Sequence, residues 1–129
     1  MKIEHFAVNV NEPNKMAHWW ADNLGLKIIR EDDTPPYITF LADEDNGTVI
    51  ELYANPKGAI VDFGQHSIFT FHIAFAVDDI SAECNRLIAA GATSTGDIIT
   101  MGNGDLLGFV RDPWGIVIQF LQRVEPLFK

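Results

Sequence analysis

Four side chains in this sequence have chemistry to offer and a spacing that joins them: His5, Glu51, His72 and Gln119. Two imidazoles, a carboxylate and an amide oxygen form a donor set suited to a borderline divalent ion such as zinc, nickel, cobalt, manganese or iron(II). Any one of them alone reads as a half-exposed polar residue. What joins them is position. His5 stands two residues before Ala7, and His72 two residues before Ala74, within Glu4-His5-Phe6-Ala7-Val8-Asn9-Val10 and Phe71-His72-Ile73-Ala74-Phe75-Ala76-Val77-Asp78-Asp79. Alternate residues of a strand face opposite sides. Phe6, Val8 and Val10, like Ile73, Phe75 and Val77, therefore make apolar faces that a helix must cover. The opposite faces set a polar ring beside small alanines, which leaves room for a ligand.

The same parity places the other pair. Ile50 and Leu52 share one face and Glu51 takes the other; Ile118 and Phe120 share one face and Gln119 the other. A lone carboxylate in a half-buried strand is costly unless something pairs it.

The elements around these strands repeat. Asn11 is placed to cap a helix that has Pro13 at its second position and Met16, Trp19, Trp20 and Leu24 as its apolar stripe, with Gly25 as the stop. Strands are predicted over residues 26–30, 37–42 and 48–54. Residues 55–65, with Pro56, Gly58 and Gly64, read as a linker. In the second half, Asp78 or Asp79 caps a predicted helix over 80–90 with the stripe Ile80, Cys84, Leu87 and Ile88, stopped by Gly91. Strands follow over 94–100, 106–111 and 116–122, the last two joined by Asp112-Pro113-Trp114-Gly115, which suits a type I turn. Counted from the two histidines, Gly25 and Gly91 fall at 20 and 19, Gly47 and Gly115 at 42 and 43, and Glu51 and Gln119 at 46 and 47. Agreement to one residue at each landmark implies a duplicated βαβββ module, about 1–56 and about 67–124, in one α+β domain spanning 1–129.

Composition narrows the class of function. With 129 residues, 47% of them hydrophobic and 21% charged, the chain has an ordinary globular make-up. Each half alone would be marginal, so the halves are expected to share a core or a dimer interface, and a homodimer is expected. A net charge of −9 without a basic cluster speaks against nucleic acid. No apolar run long enough for a membrane span exists, and Glu4 and His5 interrupt the place of a signal peptide, so a cytoplasmic protein with no membrane partner is expected. The single cysteine, Cys84, reads as a helix residue rather than a nucleophile. His18 reads as a surface residue of the first helix.

The motifs His5-Phe6-Ala7-Val8, His72 to Asp79 and Asp112-Pro113-Trp114-Gly115-Ile116-Val117-Ile118-Gln119 resemble those of the vicinal oxygen chelate superfamily, which includes glyoxalase I, extradiol dioxygenases, epimerases and bleomycin-resistance proteins. The last motif is similar to the family's Asp-Pro-x-Gly-x-x-x-Glu ending, with Gln119 in place of glutamate. The resemblance implies two βαβββ modules whose curved mixed sheets carry helices on the convex face and enclose a divalent metal on the concave side. Its metal positions correspond to His5, Glu51, His72 and Gln119, met within one chain or across a dimer. It further implies a glyoxalase-like lyase or isomerase acting on a small-molecule substrate, with Glu51 as the base, since Gln119 can coordinate but cannot accept a proton. An iron(II) dioxygenase fits less well, because that pattern takes a glutamate from the last strand. A binding protein of the bleomycin-resistance kind is the other alternative, with Trp114, Phe63, Phe69 and Phe109 as candidate pocket aromatics. Arg30 and Arg111 are candidates for an anionic substrate group, and Lys57 with residues 55–65, or the turn 101–105, for closing over a site.

Overall fold

The computed structural model describes residues 1–128 and divides into two compact units, Met1–Val61 and Asp62–Lys129. In the first, β1 (Phe6–Asn9), α1 (Pro13–Leu24), β2 (Lys27–Glu31), β3 (Thr39–Ala42) and β4 (Val49–Tyr53) follow one another. Their sheet has the order β1-β4-β3-β2, with β1 parallel to β4 and the other pairs antiparallel. In the second unit a 3-10 turn at Phe63–Gln65 precedes β5 (His72–Ala76), α2 (Ile80–Ala89), β6 (Thr93–Ser94), β7 (Ile99–Thr100), β8 (Leu106–Arg111) and β9 (Val117–Gln122). That sheet runs β5-β9-β8-β6, with β7 also paired to β8 and β5 parallel to β9. The architecture is α+β, as the periodicities predicted.

Each helix covers the apolar face of its own sheet. Met16, Ala17 and Trp20 of α1 are buried against Val8, Leu41, Ile50 and Leu52, and Trp20 and Leu52 have no exposure at all. Burying side chains of this size contributes ~1.5–3 kcal/mol each. In the second unit Ile80 and Leu87 pack over Val110, Ile118 and Phe120. The approach is closest at Gly108, where a Cβ would lie 2.9 Å from Cys84 Sγ and 3.2 Å from two carbons of Ile80. Gly108→Ala is expected to lower stability by ~1 kcal/mol through overpacking. Gly102→Ala, at a position with nothing within 4 Å, should leave the urea midpoint unchanged and serves as the control. Equal midpoints for the two variants would show that α2 does not press on this strand.

Several predicted boundaries shift. The cap of α1 is Glu12 rather than Asn11, without a side-chain cap bond, and Pro13 is the first helical residue. Asp79, by contrast, caps α2 through Ala82 N–H. The strand predicted over 94–100 is broken into β6 and β7, because Gly96 takes a φ of 139° between them. Ile88, placed in the buried stripe of α2, is 40% exposed. The segment read as a linker is partly structured: Asn9 Nδ2 donates to the carbonyls of Asn55, Gly58 and Ala59, and its Oδ1 accepts from Asn55 N–H.

The two turns before β4 and β9 follow one design. Asp43 Oδ1 accepts from the N–H groups of Gly47 and Thr48, and Asp112 Oδ1 from those of Trp114 and Ile116. Gly115 closes the second turn at a φ of 90°, and any Cβ there would come 2.8 Å from the Gly64 nitrogen. Glycine is required at that point for both reasons.

Candidate functional site

The sheet face without a helix carries the polar residues in both units. In the first, Ala7 pairs with Glu51, Glu51 with Phe40, and Phe40 with Arg30, a single row across four strands. His5 shares the face of Ala7 by parity, and its ring meets Phe40 edge-on at 5.4 Å and 87°. In the second unit Ala74 pairs with Gln119 and Gln119 with Phe109. There His72 meets Phe109 at 5.8 Å and 80°. The same constellation of histidine, alanine, phenylalanine and a carboxyl or amide group thus occurs once in each unit. Phe40 had no signal in a linear reading of the chain; it emerges only from the register of β3 on β4.

The hydrogen bonds of the rings fix which nitrogen is available. His72 Nδ1 lies 3.3 Å from the carbonyl oxygen of Ile68; a carbonyl only accepts, so Nδ1 is the donor there and Nε2 is left without a protein partner. His5 Nδ1 is bonded in the same sense to the Glu4 carboxylate. This arrangement, in which one imidazole nitrogen donates to an oxygen and the other is left basic, is the one metal-ligating histidines adopt. Glu51 is half-buried and has no hydrogen bond or ion pair among the described residues. Gln119 is only 7% exposed, and its amide likewise has no hydrogen bond among them. Two imidazole Nε2 atoms, one carboxylate and one amide oxygen therefore stand without protein partners, and that donor chemistry fits a borderline divalent ion. His5 and Glu51 belong to the first unit, His72 and Gln119 to the second. Among the described residues no three histidine, cysteine, aspartate or glutamate side chains gather as a metal set, so neither unit carries a complete one.

The other candidates divide clearly. Arg111 donates from Nη1 to the carbonyls of Phe63 and Gly115 and from Nη2 to that of His66, which makes it a clamp on the loop before β5. Arg30 pairs through Nε and Nη2 with Asp32 and lies 5.9 Å from the Phe40 ring centroid. His18 is an exposed helix residue in contact with Glu31. Burial, with Glu83 adding to it, pushes the Cys84 thiol above its ordinary value, so it is a poor nucleophile. Phe69 is 75% exposed and meets Phe109 edge-on at 6.2 Å, extending the aromatic wall that begins at His72. Phe63 packs on Phe71 instead.

Similarity to known proteins identifies the family. The pattern of the Glyoxalase/Bleomycin resistance protein/Dioxygenase superfamily matches residues 2–120. The chain belongs to that superfamily. It is 30% identical over 126 residues to a lactoylglutathione lyase of Haemophilus influenzae, covering 95% of this chain and 93% of that protein. A glyoxalase family protein from Bacillus cereus superposes with a TM-score of 0.78 at 18% identity, over 97% of this chain and 95% of the other. An antibiotic binding protein from a Streptomyces species superposes with a TM-score of 0.68 at 20% identity, over 95% of each chain. These last two likenesses concern the fold, which the superfamily uses for more than one purpose.

The turn 101–105, a sequence candidate for closing over a site, lines a pocket of the second unit. This solvent-open cavity of about 370 Å³ is lined by Gln119, Met101, Asp105, Leu107, Leu121 and Arg123 among others. Asp105 accepts from Val124 N–H and from Arg123 Nη1. The Val124 bond first, then Asn103 and Arg123, hold its carboxyl below the ordinary carboxylate value. Arg123 lies just past the end of β9, which is why the periodicity of that strand did not bring it into view.

Proposed function

We propose that this protein is a divalent-metal-dependent lyase or isomerase of the glyoxalase I type, moving a proton beside a carbonyl in a small oxygenated substrate. The observation that carries the reading is Glu51: a half-buried carboxylate without a partner among the described residues, on the same sheet face as a histidine whose Nε2 has no hydrogen-bond partner among them. His5, Glu51, His72 and Gln119 would hold the ion, each unit supplying two donors, from one chain or from two copies in a homodimer. When bound, such an ion supplies Lewis acidity toward vicinal oxygens.

The protein's part is proton transfer. For a hemithioacetal substrate, of the kind suggested by relatives named lactoylglutathione lyases, Glu51 takes the proton from the carbinol carbon and returns it to the neighbouring carbonyl carbon. A hydroxyl proton passes between the two oxygens, so the thioester formed is an isomer of the starting compound and no oxidant is needed. Ala7, a small residue paired with Glu51 on the face of His5, would leave room beside that carboxylate for those two carbons.

The test joins elemental analysis of protein purified without chelator to turnover of methylglyoxal with glutathione, followed by thioester absorbance. About one equivalent of a transition metal per complete set, with turnover lost on chelation and restored by nickel, zinc, cobalt, manganese or iron(II), is the expected result. Protein that neither holds nor takes up metal would instead support a small-molecule binding protein. The aromatic wall of His72, Phe109 and Phe69 is the feature that favours that second reading.

A further inference from the structure

The cavity beside Gln119 has a chemistry of its own. Gln119 and Arg123 are four residues apart on one face, which at a strand rise of about 3.3 Å per residue separates them by roughly 13 Å. Between them Leu121 pairs with Leu107 across β8 and β9, so the floor is apolar. At one end is the amide of Gln119, a residue only 7% exposed, with no hydrogen bond among the described residues. At the other is a guanidinium whose Nη1 donates to Asp105, while Nε and Nη2 have no hydrogen bond among the described residues. Asp105, which also lines the cavity and accepts from Val124 N–H as well, fixes the orientation of the guanidinium. At about 370 Å³ the space falls within the ~300–1,000 Å³ typical of ligand pockets.

We infer that this cavity is a distal substrate subsite, taking a short alkyl segment along Leu107 and Leu121 that ends in a carboxylate on Arg123. A planar fork with two unused donors matches a carboxylate better than a neutral group. The inference rests on the proposed reaction only for direction: the oxygenated, reacting end of the ligand faces Gln119. In a protein of net charge −9, an anionic substrate gains little from the overall field and depends on such a local cation.

Binding alone can test it, using the full chain after chelator treatment so that no metal contributes. Hexanoate and hexanamide are titrated while proton-nitrogen correlation spectra follow the Gln119 side-chain amide and Arg123 Nε–H. Hexanoate is expected to shift both signals saturably and to bind about tenfold more tightly than hexanamide, the advantage of a charge-assisted pair. Leu107→Trp, which fills the floor and leaves the Arg123–Asp105 pair intact, should abolish both titrations. Arg123→Lys keeps a positive partner for Asp105 and should weaken hexanoate while sparing hexanamide. Equal affinity for acid and amide, or hexanoate shifts that persist in Leu107→Trp, would overturn the subsite. Carboxylate binding without turnover of any hemithioacetal would retain the subsite and remove the proposed reaction; turnover without carboxylate binding would do the reverse.

Discussion

Glu51→Gln is expected to lower kcat by ~10²–10⁴-fold, the usual contribution of a positioned general base. The substitution keeps size and a coordinating oxygen but removes the proton acceptor, because an amide nitrogen has no basic lone pair. It also removes a negative charge from the donor set, so metal affinity should fall if Glu51 acts as a ligand. The two losses separate by measuring kcat at saturating metal, where occupancy no longer limits turnover. In the wild-type chain the second unit offers no substitute base at the equivalent position, since Gln119 stands there. A kcat unchanged at saturating metal would take Glu51 out of the proton transfer and leave it at most a ligand. Glu51→Asp, which retains the carboxylate but draws it back along the side chain, should fall between the two.

Much of the candidate site was legible because strand parity is a short-range rule. His5 and Ala7, or His72 and Ala74, announce a face by alternation alone, and the registers of β1 on β4 and β5 on β9 place Ala7 against Glu51 and Ala74 against Gln119. The counting of glycines worked because Gly25, in the left-handed region at the end of α1, and Gly115, pressed against Gly64, sit where only glycine is comfortable. What escaped the sequence depends on partners distant in the chain. Phe40 joins the row through its pairing with Glu51, and the cavity beside Gln119 requires the turn 101–105 to face β9. Arg111 looked like an anion site for the same reason: nothing local shows that its guanidinium is committed to the carbonyls of Phe63 and His66. The broken strand at β6 and β7 turns on Gly96, whose positive φ is invisible in a list of strand formers. The cap of α1 was misplaced because Asn11 is the better capping residue, whereas Pro13, which tolerates the first helical position without an N–H, sets the start one residue later.

The departure at Gln119 gives the second large effect, and its sign depends on the metal. In Gln119→Glu a carboxylate replaces an amide that is 7% exposed and lies between Ala74 and Phe109. Without an ion nothing compensates the charge, so the folded state holds the new carboxyl above its unfolded value of about 4.3. A raised acid favours the protonated form in the fold. The metal-free variant should therefore be less stable than the parent at neutral pH by ~1–3 kcal/mol, with the deficit shrinking as the pH falls toward the unfolded value. With an ion bound the same charge becomes favourable, and metal affinity should rise over the parent. A second carboxylate at the site would also give the substrate a second base, so part of the activity lost in Glu51→Gln should return in the double variant. Denaturant titrations with and without chelator, at neutral and mildly acid pH, read both signs in one experiment. If the variant matches the parent in metal-free stability and in metal affinity, Gln119 faces no ion, and the donor set reduces to His5, Glu51 and His72.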